Sequence, residues 1–237
     1  FFTCPNHAGD QMNGYILKPT NFDPSKRYPV VMSQYSGPGS QSVLDKWTID
    51  WEYYLVSKGF IIACVDGRGT GGRSRAYETS VYMQLGKLET EDQVAGAKYM
   101  RTLPYVDGEH IGIYGWSYGG YETLMAMSTS NGTYQAGVAI APVTDWRYYD
   151  TIYAERFMRT PNENNEGYEQ SAPITHAEKL KGDLLIISGT ADDNVHYLNT
   201  LQYSAALIEA GIQFDTQIYT NKDHHIRGCN TRHHLYT

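Results

Sequence analysis

The chain has 237 residues, 41% of them hydrophobic, and carries a net charge of −7. That length and composition suit one sizeable α/β domain with a core of its own. An acidic chain without a clustered basic stretch argues against nucleic acid as the main partner, and no apolar run approaches a membrane span. Cys4, Cys64 and Cys229 allow at most one bridge, so no disulfide framework is expected. The unusual count is tyrosine, 21 against 6 phenylalanines, which suits core positions where a phenol finds a partner.

In chain order, Gln11–Lys18 reads as a strand and Pro19–Lys26, dense in turn formers, as a loop. Tyr28–Tyr35 is a second strand, stopped by Ser36-Gly37-Pro38-Gly39-Ser40. Trp47–Lys58 has helical spacing, with Trp47, Trp51, Tyr54 and Leu55 on one face and Gly59 as its stop. Phe60–Val65 is a continuous apolar run, the pattern of a strand buried on both faces. Asp66–Gly72 follows as a glycine-rich turn in which Asp66 and Arg68 are expected to pair locally. Glu89–Thr102 reads as a helix, His110–Tyr114 as a strand, Tyr121–Met127 as a helix and Ala136–Ala141 as a strand. Asp145–Met158 is aromatic and charged, and the polar stretch Thr160–Ser171 reads as a loop. Leu184–Ile187 is a strand, Leu198–Ala210 a helix ended by Gly211, and Phe214–Tyr219 the last strand, with no closing helix.

Strands alternating with helices imply a mostly parallel sheet with helices on both faces. The first two strands, joined by a loop alone, are expected to form its antiparallel edge. The chain starts at Phe1-Phe2 without an initiator Met, so residues 1–237 read as one catalytic domain cut from a longer protein.

Gly115-Trp116-Ser117-Tyr118-Gly119-Gly120 lies between a predicted strand and a predicted helix. A Gly-x-Ser-x-Gly in that setting is the nucleophile elbow of the α/β-hydrolase fold. In this fold an acid and then a histidine follow, each on the loop after a later strand. Asp192 or Asp193 stands after Leu184–Ile187, and His224 or His225 after the last strand. The serine would attack a carbonyl, the histidine would shuttle its proton and the carboxylate would orient the imidazole. The oxyanion needs donors: one is the Tyr118 N–H, and the other should come from Tyr35–Gly39. Pro38 has no N–H to give, so the Tyr35 hydroxyl is the candidate. The Asp66–Gly72 turn lacks the ordered glycines of a dinucleotide site. His224, His225, Cys229, His233 and His234 match no zinc spacing. No metal or other cofactor is implied.

Together, Gly115–Tyr121, Trp146–Asp150, Gly189–His196 and Tyr219–His224 resemble the prolyl oligopeptidase family of serine peptidases. Asp66–Gly69 and Leu85–Gln93 look like the same group, and the resemblance spans nearly the whole chain. It implies Asp192 as the acid, His224 as the base and Tyr35 as the second oxyanion donor. It also implies a pocket for a penultimate proline lined by Tyr118, Val143, Trp146, Tyr149, Tyr153 and Val195, with Asn194 on the substrate backbone. The activity implied is release of X-Pro or X-Ala dipeptides from a free amino terminus. Related tripeptidyl, acylaminoacyl or endopeptidase activities, or a silent binding protein on the same fold, are the alternatives. An intact Ser117–Asp192–His224 set speaks against the silent one. The resemblance further implies an N-terminal β-propeller and a C-terminal helix beyond this stretch, a homodimer and an extracytoplasmic location. His225 stands where the family commonly has glycine.

Overall fold

Six successive buried positions mark Ile61–Asp66 as an inner strand of the sheet. The computed structural model describes residues 1–47 and 50–237. Among them the strands are β1 (Phe2–Pro5), β2 (Gln11–Leu17), β3 (Tyr28–Ser33), β4 (Ile61–Asp66), β5 (Val106–Trp116), β6 (Ala136–Ile140), β7 (Asp183–Gly189) and β8 (Asp215–Tyr219). They form one sheet in the order β1-β2-β4-β3-β5-β6-β7-β8. The helices are α1 (Glu52–Ser57), α2 (Arg75–Thr79), α3 (Lys87–Arg101), α4 (Tyr118–Thr129), α5 (Thr151–Met158), α6 (Asn165–Gln170), α7 (Leu198–Glu209) and α8 (Thr231–Tyr236).

The pairings from β4 through β8 are all parallel, while β1–β2 and β2–β4 are antiparallel. The antiparallel edge therefore exists, but β2 pairs with β4 and not with β3, the neighbour expected from the sequence. The buried β4 shields β3 from that edge and gives β2 an apolar partner such as Cys64 opposite Tyr15. One face of the sheet carries the main core, where Met32, Ile111 and Ile186 meet Met100 of α3, Leu124 of α4 and Leu207 of α7. The other face is covered by short helices, with Trp51 beside α1 stacking on Tyr236 of α8 at 5.0 Å between ring centres.

Other expectations need correction. The helix read from Trp47 starts only at Glu52; Trp47 is outside it and 79% exposed, and positions 48–49 lie outside the described residues. Part of the supposed loop Thr160–Ser171 is α6, held by the single buried ring of Tyr168, too little to give the sequence a helical period. A closing helix is present as α8, whose six residues bury nothing completely and so left no apolar stripe. Asp66 and Arg68 do not pair with each other. Asp66 accepts the Ser42 and Val43 N–H groups, and Arg68 bonds Asp92 at 2.7 Å and Glu91 at 3.0 Å.

The parallel strands aim their carboxyl ends at one edge. β3 connects leftward to β4 while β5 lies to its right, so the chain reverses direction between β3 and β5. Such a switch point opens a crevice beyond the strand ends. There helix α4 enters so closely that a Cβ on Gly119 would sit 2.5 Å from the Gln34 carbonyl oxygen and 3.2 Å from the Tyr35 Cα. A Cβ on Gly115 would sit 2.3 Å from the Gly119 carbonyl oxygen. Both obstacles are backbone, so Gly119→Ala is expected to destabilise by about 1–3 kcal/mol. In thermal unfolding that is a melting temperature lower by about 2–4 °C per kcal/mol; an unchanged melting temperature would contradict this packing.

Candidate active site

Ser117 ends the elbow with φ +60° and ψ −116°, a backbone conformation that non-glycine residues adopt only under constraint. Its N–H donates to the Ile140 carbonyl at 2.8 Å, and its own carbonyl accepts the Tyr121 N–H at 2.9 Å. The turn is thus pinned on the β6 side and on the α4 side. The side chain is half-buried at the crevice, and the Tyr118 N–H begins α4, where helix N–H groups have no internal acceptor.

The two pairs left open by the sequence separate by burial. Asp192 and His224 are buried at 5% and 6% exposure, whereas Asp193 and His225 are exposed. Asp192 Oδ2 lies 2.8 Å from His224 Nδ1, and its Oδ1 accepts the Asn194 and Val195 N–H groups at 2.9 Å each. With Nδ1–H directed at the carboxylate, Nε2 is the basic nitrogen. The β7 and β8 loops are knitted together: the Ala191 N–H donates to Lys222 at 3.0 Å and the Asn221 N–H to Thr190 Oγ1 at 2.9 Å. No hydrogen bond joins Ser117 to the imidazole; the tie is one residue earlier, where Trp116 Nε1 donates to the His224 carbonyl at 2.9 Å.

Tyr35 stands on the crevice side of the β3 loop, 40% exposed, with its ring centre 6.1 Å from that of Tyr118. Partial burial raises its phenol pKa, so the hydroxyl keeps its proton as a donor. Its neighbours are fixed: Gln34 Nε2 donates to the Gly119 carbonyl at 2.8 Å, and Ser36 Oγ donates to Gln34 Oε1 at 3.0 Å.

Tyr118, Val143, Trp146 and Val195 are buried in one apolar cluster, with Tyr149 and Tyr153 packed against it. The Trp146 ring centre is 5.5 Å from Tyr118, 5.9 Å from Tyr149 and 5.8 Å from Tyr153. Asn194 joins this wall through Oδ1, which accepts the Tyr149 hydroxyl at 2.7 Å. Apart from the exposed alternatives Asp193 and His225, every candidate residue read from the sequence lies in one of three neighbouring groups: the elbow with Tyr35, the Asp192–His224 pair, and the aromatic box.

One buried group was missed. Glu89 in the first turn of α3 accepts the Tyr118 hydroxyl at 2.8 Å, and burial pushes its carboxyl up to about 7. Its signal was the spacing of Glu89, Asp92, Gln93, Gly96, Ala97 and Met100, a buried stripe whose first members are polar.

A strained serine after the parallel strand β5, a buried Asp–His pair on the loops after β7 and β8 and a switch-point crevice form the arrangement of a serine hydrolase of the α/β-hydrolase fold. Comparison with known proteins narrows the class. The Prolyl oligopeptidase family is matched over residues 47–237, and the chain belongs to that peptidase family. The chain is 46% identical over 224 residues to "Probable dipeptidyl-aminopeptidase B" of Talaromyces marneffei, covering 92% of this chain and 25% of that one. It is 42% identical over 226 residues to "Prolyl endopeptidase FAP" of Mus musculus, covering 94% and 30%. The crystal structure of Porphyromonas gingivalis dipeptidyl peptidase 4 superposes with a TM-score of 0.97 at 55% identity, covering all of this chain and 34% of that one. The chain thus spans a quarter to a third of the length of these relatives.

The raised Glu89 pKa has a consequence for stability. Below about pH 4.5, its ordinary value, the carboxyl is neutral folded or unfolded and contributes no difference. Between there and pH 7 the unfolded form ionises first, so the folded state loses about 3 kcal/mol, fully expressed above pH 7. Glu89→Gln removes the titration and is expected to gain that much over wild type between pH 4 and pH 8 in denaturant unfolding. Parallel stability curves would contradict a carboxyl whose burial outweighs the hydrogen bonds it accepts.

Proposed function

We propose that this domain cleaves peptides after a penultimate proline or alanine, releasing N-terminal dipeptides through an acyl-enzyme on Ser117. The observation that carries it is the aromatic box beside the elbow: Tyr118 and Trp146 are buried in one cluster with Val143 and Val195, and the half-buried rings of Tyr149 and Tyr153 pack against it. A compact, rigid proline ring packs well on such faces, and a shallow box excludes longer side chains. Names of the fungal and bacterial relatives support the dipeptidyl activity.

In the mechanism, Ser117 Oγ attacks the carbonyl carbon while His224 Nε2 takes its proton. That hydrogen bond forms on substrate binding, as such contacts tighten in the reacting complex. The Asp192 carboxylate stabilises the imidazolium through Nδ1–H. The carbonyl oxygen becomes an oxyanion, held by the Tyr118 N–H and the Tyr35 hydroxyl. Collapse breaks the C–N bond, and His224 delivers the proton to the departing amine. Water then adds to the acyl-enzyme with His224 as base, and Ser117 recovers its proton as the dipeptide leaves. Selection for a free amino terminus belongs to groups outside residues 1–237, in keeping with the greater length of the relatives. By family likeness the same proposal includes a preceding β-propeller, a homodimer and an extracytoplasmic location.

The mouse relative's name, a prolyl endopeptidase, favours a second reading in which internal prolyl bonds are cut. Gly-Pro-p-nitroanilide and its N-acylated twin decide between them on the protein at its natural full length. Cleavage of the free substrate alone is expected; equal cleavage of the blocked twin would establish the endopeptidase, and cleavage of neither would overturn the prolyl pocket. Asp192→Asn is expected to lower kcat by about 10³–10⁴-fold, whereas Asp193→Asn leaves it near wild type; the reverse order would overturn the triad assignment.

A further inference from the structure

Near its start helix α3 carries Glu89-Thr90-Glu91-Asp92-Gln93, a run that would ordinarily face water. Instead Glu89, Asp92 and Gln93 are 1%, 0% and 1% exposed. Asp92 is matched by Arg68, and Gln93 Nε2 donates to Ser36 Oγ and to the Val65 carbonyl at 3.1 Å each. Glu89 has no such cation. The titratable groups around it are Tyr118, Tyr121 and Glu122 of α4, Asp92 of its own helix and Tyr153 of α5. Its Oε2 has no hydrogen-bond partner, and the side-chain contact Oε1 makes is with the Tyr118 hydroxyl. A buried carboxyl without an ion pair is costly, and its one side-chain donor belongs to the residue that follows the nucleophile.

Tyr118 has two tasks in the peptidase. Its N–H faces the oxyanion, and its ring sits in the box between Tyr35, Tyr121 and Trp146, with centres 6.1, 5.1 and 5.5 Å away. Ring contacts alone leave tilt and in-plane rotation soft, because dispersion is non-directional. A hydrogen bond to the phenol oxygen at the far end of the ring fixes both.

We propose that Glu89 is a positioning residue that sets proline selectivity: it grips the Tyr118 hydroxyl from beneath the box and holds that ring face toward the substrate. This rests on the serine-peptidase assignment above. An acceptor of the same reach is what the site requires, so Gln serves and Leu, of similar bulk, does not.

The test compares wild type, Glu89→Gln, Glu89→Leu and Tyr118→Phe at natural full length, on Gly-Pro-p-nitroanilide and on p-nitrophenyl acetate, whose acetyl group does not fill the box. In Glu89→Leu the ratio of prolyl to acetyl-ester kcat/KM is expected to fall about tenfold or more, mostly through KM. Glu89→Gln should restore most of it. Should Glu89→Leu fail to fold, Tyr118→Phe removes the same hydrogen bond and is expected to show the same KM-led loss. Equal losses on both substrates, a Gln variant as impaired as Leu, or a Phe variant with wild-type KM would each overturn the proposal. A wild type that cleaves neither substrate overturns the peptidase assignment itself, and this inference with it.

Discussion

The site depends on the contact between Gly119 and the backbone of Gln34 and Tyr35. Because no Cβ intervenes, α4 drives its N-terminus into the edge of the sheet between β3 and β5. That close approach puts the Tyr118 N–H at the crevice, tips Ser117 into its strained conformation and brings the Tyr35 loop beside both. Gln34 then locks the contact by donating to the Gly119 carbonyl and to Thr123 Oγ1. Strain at Ser117 is sustained because the surrounding bonds over-determine the turn.

Beneath the crevice lies a buried polar layer. Gln93 ties α3 to Ser36, Thr90 donates to Glu122 at 2.8 Å, and Tyr134 donates to the Gln93 carbonyl at 2.8 Å. Helix α3 thereby touches both proposed oxyanion donors or their neighbours, Ser36 next to Tyr35 and the side chain of Tyr118 itself. Apolar packing in the main core sets how the helices lie, and this layer sets the finer placement that the proposed acyl transfer needs.

Much of this was legible in the sequence, for physical reasons. Buried parallel strands read as unbroken apolar runs, so Phe60–Val65 and Ala136–Ala141 were found within a residue or two. Asp192 and His224 were narrowed to pairs by their order after the elbow; choosing between neighbours needed family likeness, because neighbouring loop residues differ in direction and not in type. The pairing of β2 with β4 was hidden, since strand order is a long-range property that a connecting loop does not reveal. Helices α2, α6 and α8, of five or six residues, carry too few buried side chains to show a period. Glu89 carried no site signal in the sequence, because a charged residue at a helix start normally faces water, and only the fold places a phenol against it.

The central claim is that Ser117 is a nucleophile activated by His224. Reaction of the full-length protein with a fluorophosphonate, followed by peptide mass spectrometry, tests it most directly. The account predicts one phosphonyl adduct, on the peptide containing Ser117, formed rapidly in wild type and lost in His224→Ala. An adduct on another residue, or labelling of Ser117 that persists undiminished without His224, would contradict it.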